Sequence, residues 1–257
     1  MHDVTADPGP FDEVGFPSWV MGHRGARAVA PENSIEGFTW AIDNGLGSVE
    51  FDVRLTADGV LVCVHDESMA AHGGPSALVT ELDAEAVDRV VLTTGVGVPR
   101  LEEVLDLAEG RLALNVEIKN DPRERSFDPR RAAAEVLADL LEDRASRGRA
   151  DDVIAVSSFD AGTVGRFAEA SSRFGHTAAL LTSPGTTTQR IIDEGTALGV
   201  SAVHPHYSSL VSSSSCRRLQ EAGFVVRTWT VNNRLVAQRL RRSGVAMIVT
   251  DDPRRIV

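Results

Sequence analysis

From Trp19 onward, short runs rich in Val, Ile and Leu alternate with longer segments in which apolar residues recur at helical spacing, the pattern of repeated strand and helix units around a parallel sheet. The runs predict strands near Trp19–His23, Ser48–Val53, Leu112–Ile118, Val153–Ser157, Thr177–Thr182, Ala202–His204, Val225–Thr230 and Ala246–Thr250. Helices are expected over Ser34–Asn44, Arg130–Arg147, Ala161–Ser172, Gln189–Leu198, Ser214–Ala222 and Arg234–Arg242. Eight strands with intervening helices in a chain of this size fit one α/β domain, a closed (β/α)8 TIM barrel over 19–257. Residues 1–18 carry Pro8, Pro10 and Pro17 without an apolar period and read as a leader segment.

A ninth apolar run, Val60–His65, follows the second strand after only Thr56-Ala57-Asp58-Gly59. Parallel neighbours need a crossover of about a dozen residues or more, so this run is expected to fold back as an antiparallel hairpin. A turn centred near Ala57 and Asp58 brings His65 back opposite Glu50, to within a residue or two, a histidine beside a carboxylate.

Within Ser48–Val53 the side chains alternate, so Glu50 and Asp52 share one face and Val49, Phe51 and Val53 the other. Helices cover the apolar face of a barrel strand, which sends the two carboxylates inward. The third strand repeats the device: Leu114, Val116 and Ile118 face out while Asn115, Glu117 and Lys119 face in. Three inward carboxylates require positive charge. A hard divalent cation, Mg²⁺ or Ca²⁺ with Mn²⁺ as a substitute, supplies it through oxygen ligands; the alternative is a network neutralised by Lys119 and Arg24 alone. The first strand ends in Met21-Gly-His-Arg-Gly25, which delivers His23 and Arg24 at the carboxyl end of the barrel, where enzymes of this architecture keep their sites. Two histidines, His23 and His65, suit a general acid and a general base, and the planar fork of Arg24 suits phosphate oxygens.

Charge and composition narrow the partners. The 37 acidic residues exceed the 26 basic ones, giving a net charge of -11, which opposes binding to nucleic acid or to an anionic membrane surface. No stretch has the apolar length of a membrane span, and the opening segment is acidic where a signal peptide is basic, so a cytoplasmic protein is expected. The two cysteines, Cys63 and Cys216, read as reduced thiols. His204-Pro-His206 imitates a metal-binding pair but ends the sixth strand, which favours a loop or substrate-side role; His72 and His176 read as surface or packing residues. Nothing in the sequence fixes the oligomeric state.

In order and spacing the chain resembles the glycerophosphodiester phosphodiesterases. The resemblance rests on His23-Arg-Gly25, Ala30-Pro-Glu-Asn-Ser34, Glu50-Phe-Asp52, Thr56-Ala-Asp-Gly59, His65-Asp66, Val98-Pro-Arg-Leu-Glu-Glu-Val104, Asn115-Val-Glu-Ile-Lys119, Ser158-Phe159, Trp229-Thr-Val-Asn232 and Thr250-Asp-Asp-Pro253. It implies a phosphodiesterase-type TIM barrel that hydrolyses a small glycerophosphodiester to sn-glycerol 3-phosphate and an alcohol. By the same resemblance Glu50, Asp52 and Glu117 bind one divalent metal, His23 and His65 form the acid and base pair, Arg24 and Lys119 contact phosphate, and Trp229 lines the substrate pocket. Which histidine is the acid stays open, as does a cyclic phosphate intermediate against direct attack by water. The family's substrate-side insertion corresponds to 66–101 and is short, about 35 residues, which points to an open mouth and a small soluble substrate.

Overall fold

Glycine spacing and strong caps explain where the elements begin and end. In the computed structural model, which describes residues 15–149, 153–172 and 176–257, the order is β1 (Val20–His23), α1 (Ile35–Asp43), β2 (Ser48–Leu55), β3 (Leu61–Val62), α2 (Ala84–Asp88), α3 (Leu101–Ala108), β4 (Ala113–Ile118), α4 (Ala132–Ser146), β5 (Val153–Ser158), α5 (Ala161–Ala170), β6 (Ala178–Thr182), α6 (Thr188–Leu198), β7 (Ala202–Pro205), α7 (Ser213–Glu221), β8 (Val225–Thr228), α8 (Arg234–Arg242) and β9 (Met247–Thr250). Ser34 caps α1 by accepting from the Gly37 amide, Asp160 and Thr187 cap α5 and α6 in the same way, and Gly199 closes α6 in the left-handed region.

The sheet runs β1-β9-β8-β7-β6-β5-β4-β2 and closes by pairing of β1 with β2, so eight parallel strands form a TIM barrel. β3 hangs on β2 outside that ring. Each of the eight expected barrel strands is present. The sequence pattern missed α2 and α3, both in or beside the insertion and both shorter than the span over which a helical period is read.

Side-chain alternation holds as expected. Val49, Phe51, Val53, Leu114, Val116 and Ile118 are buried in the main core between strands and helices. Ala155, Ala179 and Ala202 form a separate inner cluster, and side chains this small leave room above them. The insertion builds its own satellite core from Val62, Val64, Met69, Val79, Val87, Val90 and Val98.

The hairpin forms as expected, with a register one residue from the centre of the expected range. Arg54 pairs with Val62 and Leu55 with Leu61, and the ladder ends there. Extended by one residue at a time that register sets Phe51, not Glu50, opposite His65. The chain leaves the ladder sooner, because the Cys63 amide donates to Pro99 O. Of the leader, residues 1–14 lie outside the described ones, while Phe16 donates its amide to Gly45 O and sets its ring against Trp40.

Candidate active site

Glu50, Asp52 and Glu117 are all buried at the carboxyl ends of β2 and β4, with Asp52 and Glu117 at paired register positions. One oxygen of each lies within 4.8 Å of the others, the spacing of ligands around a single ion. Arg24 Nε lies 3.2 Å from Asp52 Oδ2, and Lys119 Nζ lies 2.9 Å from Glu117 Oε1 and 3.8 Å from Asp52 Oδ1. Burial alone raises the Asp52 carboxyl, but Lys119, Arg24 and His65 outweigh it and hold that group below the usual carboxylate range. Lys119 and Arg24 are themselves pulled down by burial, yet the facing carboxylates leave both raised overall.

Glu50 has no such compensation. Burial first, then repulsion from Asp52 and Glu117, push its carboxyl well above the ordinary range. Its Oε1 is buried without a hydrogen-bond partner, and its Oε2 accepts only from the Arg24 amide at 3.2 Å, with His23 Nε2 at 3.8 Å. Two resident cations therefore serve two carboxylates and leave the third unmatched, so neutralisation by Lys119 and Arg24 alone does not fit. An all-oxygen set with one unmatched buried carboxylate fits a hard divalent cation.

Both histidines sit at this cluster, and each is aimed by a carboxylate. His23 Nδ1 donates to Asp251 Oδ1 at 2.6 Å, and Asp251 in turn accepts from the Asn232 side chain at 2.6 Å. His65 Nδ1 donates to Asp66 Oδ1 at 2.7 Å. A carboxylate only accepts, so both rings carry hydrogen on Nδ1 and leave Nε2 for proton transfer. Those bonds outweigh burial and leave the Asp251 and Asp66 carboxyls below their ordinary value.

Backbone strain sets the mouth of β1. Arg24 is held in the left-handed region at φ 50, and a Cβ on Gly22 would stand 1.8 Å from Gly25 O, so only glycine fits there. That turn aims the Arg24 amide and guanidinium at Glu50 and Asp52. Asn33, also left-handed at φ 51, grips Asp52 twice: its side-chain amide donates to Oδ2 at 3.0 Å and its Oδ1 accepts the Asp52 amide at 3.2 Å.

His65 is fixed from behind by Arg54, a fully buried side chain on the same face of β2 as the two acids. Its Nε and Nη2 donate to His65 O at 2.9 and 2.7 Å while the fork grips Glu124. Sequence reasoning assigned no role to Arg54, Asn33, Asp66 or Asp251. The last three stood inside motifs it singled out, and Arg54 continued the inward alternation of Glu50 and Asp52.

His23, Arg24, Glu50, Asp52, His65, Glu117, Lys119 and Trp229 all line one cavity. Trp229 donates its Nε1 hydrogen to His204 O at 2.9 Å and meets Phe159 and His206 edge-on at 5.3 and 5.0 Å, forming an aromatic wall opposite the acids. His204 is buried in the cavity wall, His206 packs behind Trp229 outside the lining, and neither joins the acidic cluster. His72, part-exposed as expected, places Nε2 3.4 Å from Asp66 Oδ2. His176 packs near Phe167, as expected.

Comparison with known proteins agrees with this geometry. The sequence profile of the Glycerophosphoryl diester phosphodiesterase family matches residues 23–255. A glycerophosphodiester phosphodiesterase of Bacillus altitudinis is 28% identical over 253 residues, covering 93% of this chain and 96% of the relative. Among solved structures, the glycerophosphodiester phosphodiesterase of Thermotoga maritima superposes with a TM-score of 0.71 at 26% identity, covering 91% of this chain and 95% of that one. A phosphodiesterase of Oleispira antarctica, solved with its product sn-glycerol-3-phosphate, shares the fold at a TM-score of 0.78 and 21% identity over 94% and 95% of the two chains.

Proposed function

The chain belongs to the glycerophosphoryl diester phosphodiesterase family and is a phosphoric diester hydrolase; on that footing we propose that it cleaves small glycerophosphodiesters to sn-glycerol 3-phosphate and an alcohol by paired imidazole acid and base catalysis in a metal-dependent site. The observation that carries the reading is the convergence of two carboxylate-oriented histidines, His23 and His65, on a cavity shared with Glu50, Asp52 and Glu117.

Glu50, Asp52 and Glu117 hold the divalent cation, Mg²⁺ or Ca²⁺, which when bound supplies charge neutralisation for the phosphoryl oxygens. Arg24 and Lys119 reach the same oxygens and stabilise the negative charge that builds on them as the ester bond breaks. One imidazole, neutral and free at Nε2, takes the proton of the attacking hydroxyl, and the other, entering the step as imidazolium, gives its Nε2 proton to the departing alkoxide. Asp251 and Asp66 keep the rings in the tautomer this requires and favour each imidazolium as it forms. The same pair serves attack by the glycerol 2-hydroxyl, which already stands next to phosphorus in the substrate, and attack by water. Trp229 and Phe159 give one half of the diester an apolar wall.

A small soluble substrate agrees with the acidic surface and with the absence, among the described residues, of any helix long and apolar enough to cross a membrane. Cys63 and Cys216 are buried free thiols, which suits the reducing cytoplasm. The test is release of sn-glycerol 3-phosphate from glycerophosphocholine and glycerophosphoethanolamine by metal-stripped protein with Mg²⁺, Ca²⁺ or Mn²⁺ restored in turn. Metal-dependent release is expected. No release with any metal, from folded protein, overturns the proposal.

A further inference from the structure

Three arginine or lysine side chains line the cavity, and two of them meet carboxylates: Arg24 with Asp52 and Glu32, and Lys119 with Glu117. Arg227 on β8 has none among the described residues. Its Nη1 lies 3.4 Å from Nε2 of the buried His204, and its Nε is buried with no hydrogen-bond partner at all. Arg227 and His204 line the same cavity as the acidic cluster.

Burial pulls Arg227 down to about 10, still charged at neutral pH, and no carboxylate lifts it back. His204 is kept toward its uncharged form by burial and by Arg227 itself, and an imidazole, neutral or protonated, is never an anion. A buried guanidinium without a counter-ion is costly unless a ligand completes it. Position shows which part of a ligand that is. β8 stands four strands round from β4 in the ring of eight, on the opposite wall from Glu117 and Lys119. A simple diester carries one negative charge, at phosphorus, and the proposed function assigns that charge to the Arg24 and Lys119 side.

We propose that Arg227 is a specificity-determining residue that receives a second anionic group, a carboxylate or a phosphate, carried by the alcohol half of the diester. The inference rests on the hydrolase reading above. The planar fork of Arg227 offers parallel donors that either oxyanion accepts in pairs. Neutral His204 beside it adds no competing charge.

The experiment compares kcat/KM within two substrate pairs that differ by one group, using metal-restored enzyme. Glycerophosphoserine against glycerophosphoethanolamine adds a carboxylate; glycerophosphoglycerol phosphate against glycerophosphoglycerol adds a phosphate. Wild-type protein is expected to favour the anionic member of at least one pair by about tenfold or more, and the responsive pair identifies the group. Arg227→Met is expected to bring that ratio close to one, and Arg227→Lys to retain part of it. Release from all four diesters with no preference in wild type overturns the inference and leaves the hydrolase reading standing, and this arm needs no variant to fold. A preference that survives Arg227→Met overturns it equally. Failure to release product from any diester overturns both.

Discussion

Nδ1 of His23 stands 2.6 Å from Oδ1 of Asp251 although 228 positions separate the two residues. Barrel closure makes the contact: β9 pairs with β1 through Val20 with Ile248, Met21 with Val249 and Gly22 with Thr250, so the residues that follow each strand emerge side by side. Asp251→Asn keeps the shape but can present its amide to Nδ1 and so favour the wrong tautomer. Turnover is expected to fall by about 100-fold with the circular dichroism spectrum unchanged. Unaltered kcat in the release assay would remove Asp251 from the assigned positioning role.

Glu50→Gln tests the cation site without relying on turnover. In metal-stripped protein the substitution removes a buried carboxyl that burial and two acidic neighbours disfavour in its charged form, so thermal stability is expected to hold or rise. Wild-type protein is expected to gain roughly 2.7 kcal/mol from a cation at about a hundred times its Kd. Differential scanning calorimetry with and without Mg²⁺ or Ca²⁺ should show that gain in wild type and its loss in the variant.

Arg54→Met should lower both stability and rate. The guanidinium is fully buried and ties the His65 carbonyl to Glu124, so its removal strands buried acceptors and frees His65 to move. A cost of about 3 kcal/mol is expected in urea unfolding, with kcat falling more steeply than KM rises.

Of the acidic cluster, Glu50, Asp52, Glu117 and Lys119 were legible because one period of two, read against the apolar face of each strand, sends them all inward. His23 and Arg24 were legible as the end of a strand. The partners were not: the pairing of Asp251 with His23 depends on how the sheet closes, and the role of Arg54 depends on where the insertion returns. The hairpin register was legible only to within a residue or two for the same reason, since the β2–β3 ladder stops after two pairs and the Pro99 carbonyl captures the Cys63 amide. Local periodicity fixes which face a side chain takes, while its neighbour across the barrel is a property of closure.

His204 gives the protein an acid limb. Burial, with Arg227 facing it, depresses the imidazole well below its ordinary 6.5 in the folded state. Below that value the unfolded chain takes up a proton that the folded chain refuses, so this residue's contribution to stability is intact above about pH 6.5 and declines as pH falls. Chemical denaturation between pH 7.5 and 5 should show a smaller decline in His204→Gln than in wild type. Equal slopes would assign the acid sensitivity to other groups.

Gly22→Ala is expected to destabilise by at least about 2 kcal/mol, because its Cβ has no position clear of Gly25 O or of the Leu46 side chain. The denaturation midpoint reads the cost. Displacement of the turn carries His23 and Arg24 with it, so the variant that remains folded should also be slow.

Closure of the ring has a temporal side. His23 is among the first described residues to leave the ribosome, whereas Asp251 and the strand that delivers it, β9, come at the far end of the barrel. A nascent chain halted at any point before Asp251 holds a histidine with no carboxylate to aim it and a β1 whose β9 edge is unpaired. The arrangement that aims His23 is therefore completed only by the last strand, when β9 and Asp251 have joined β1.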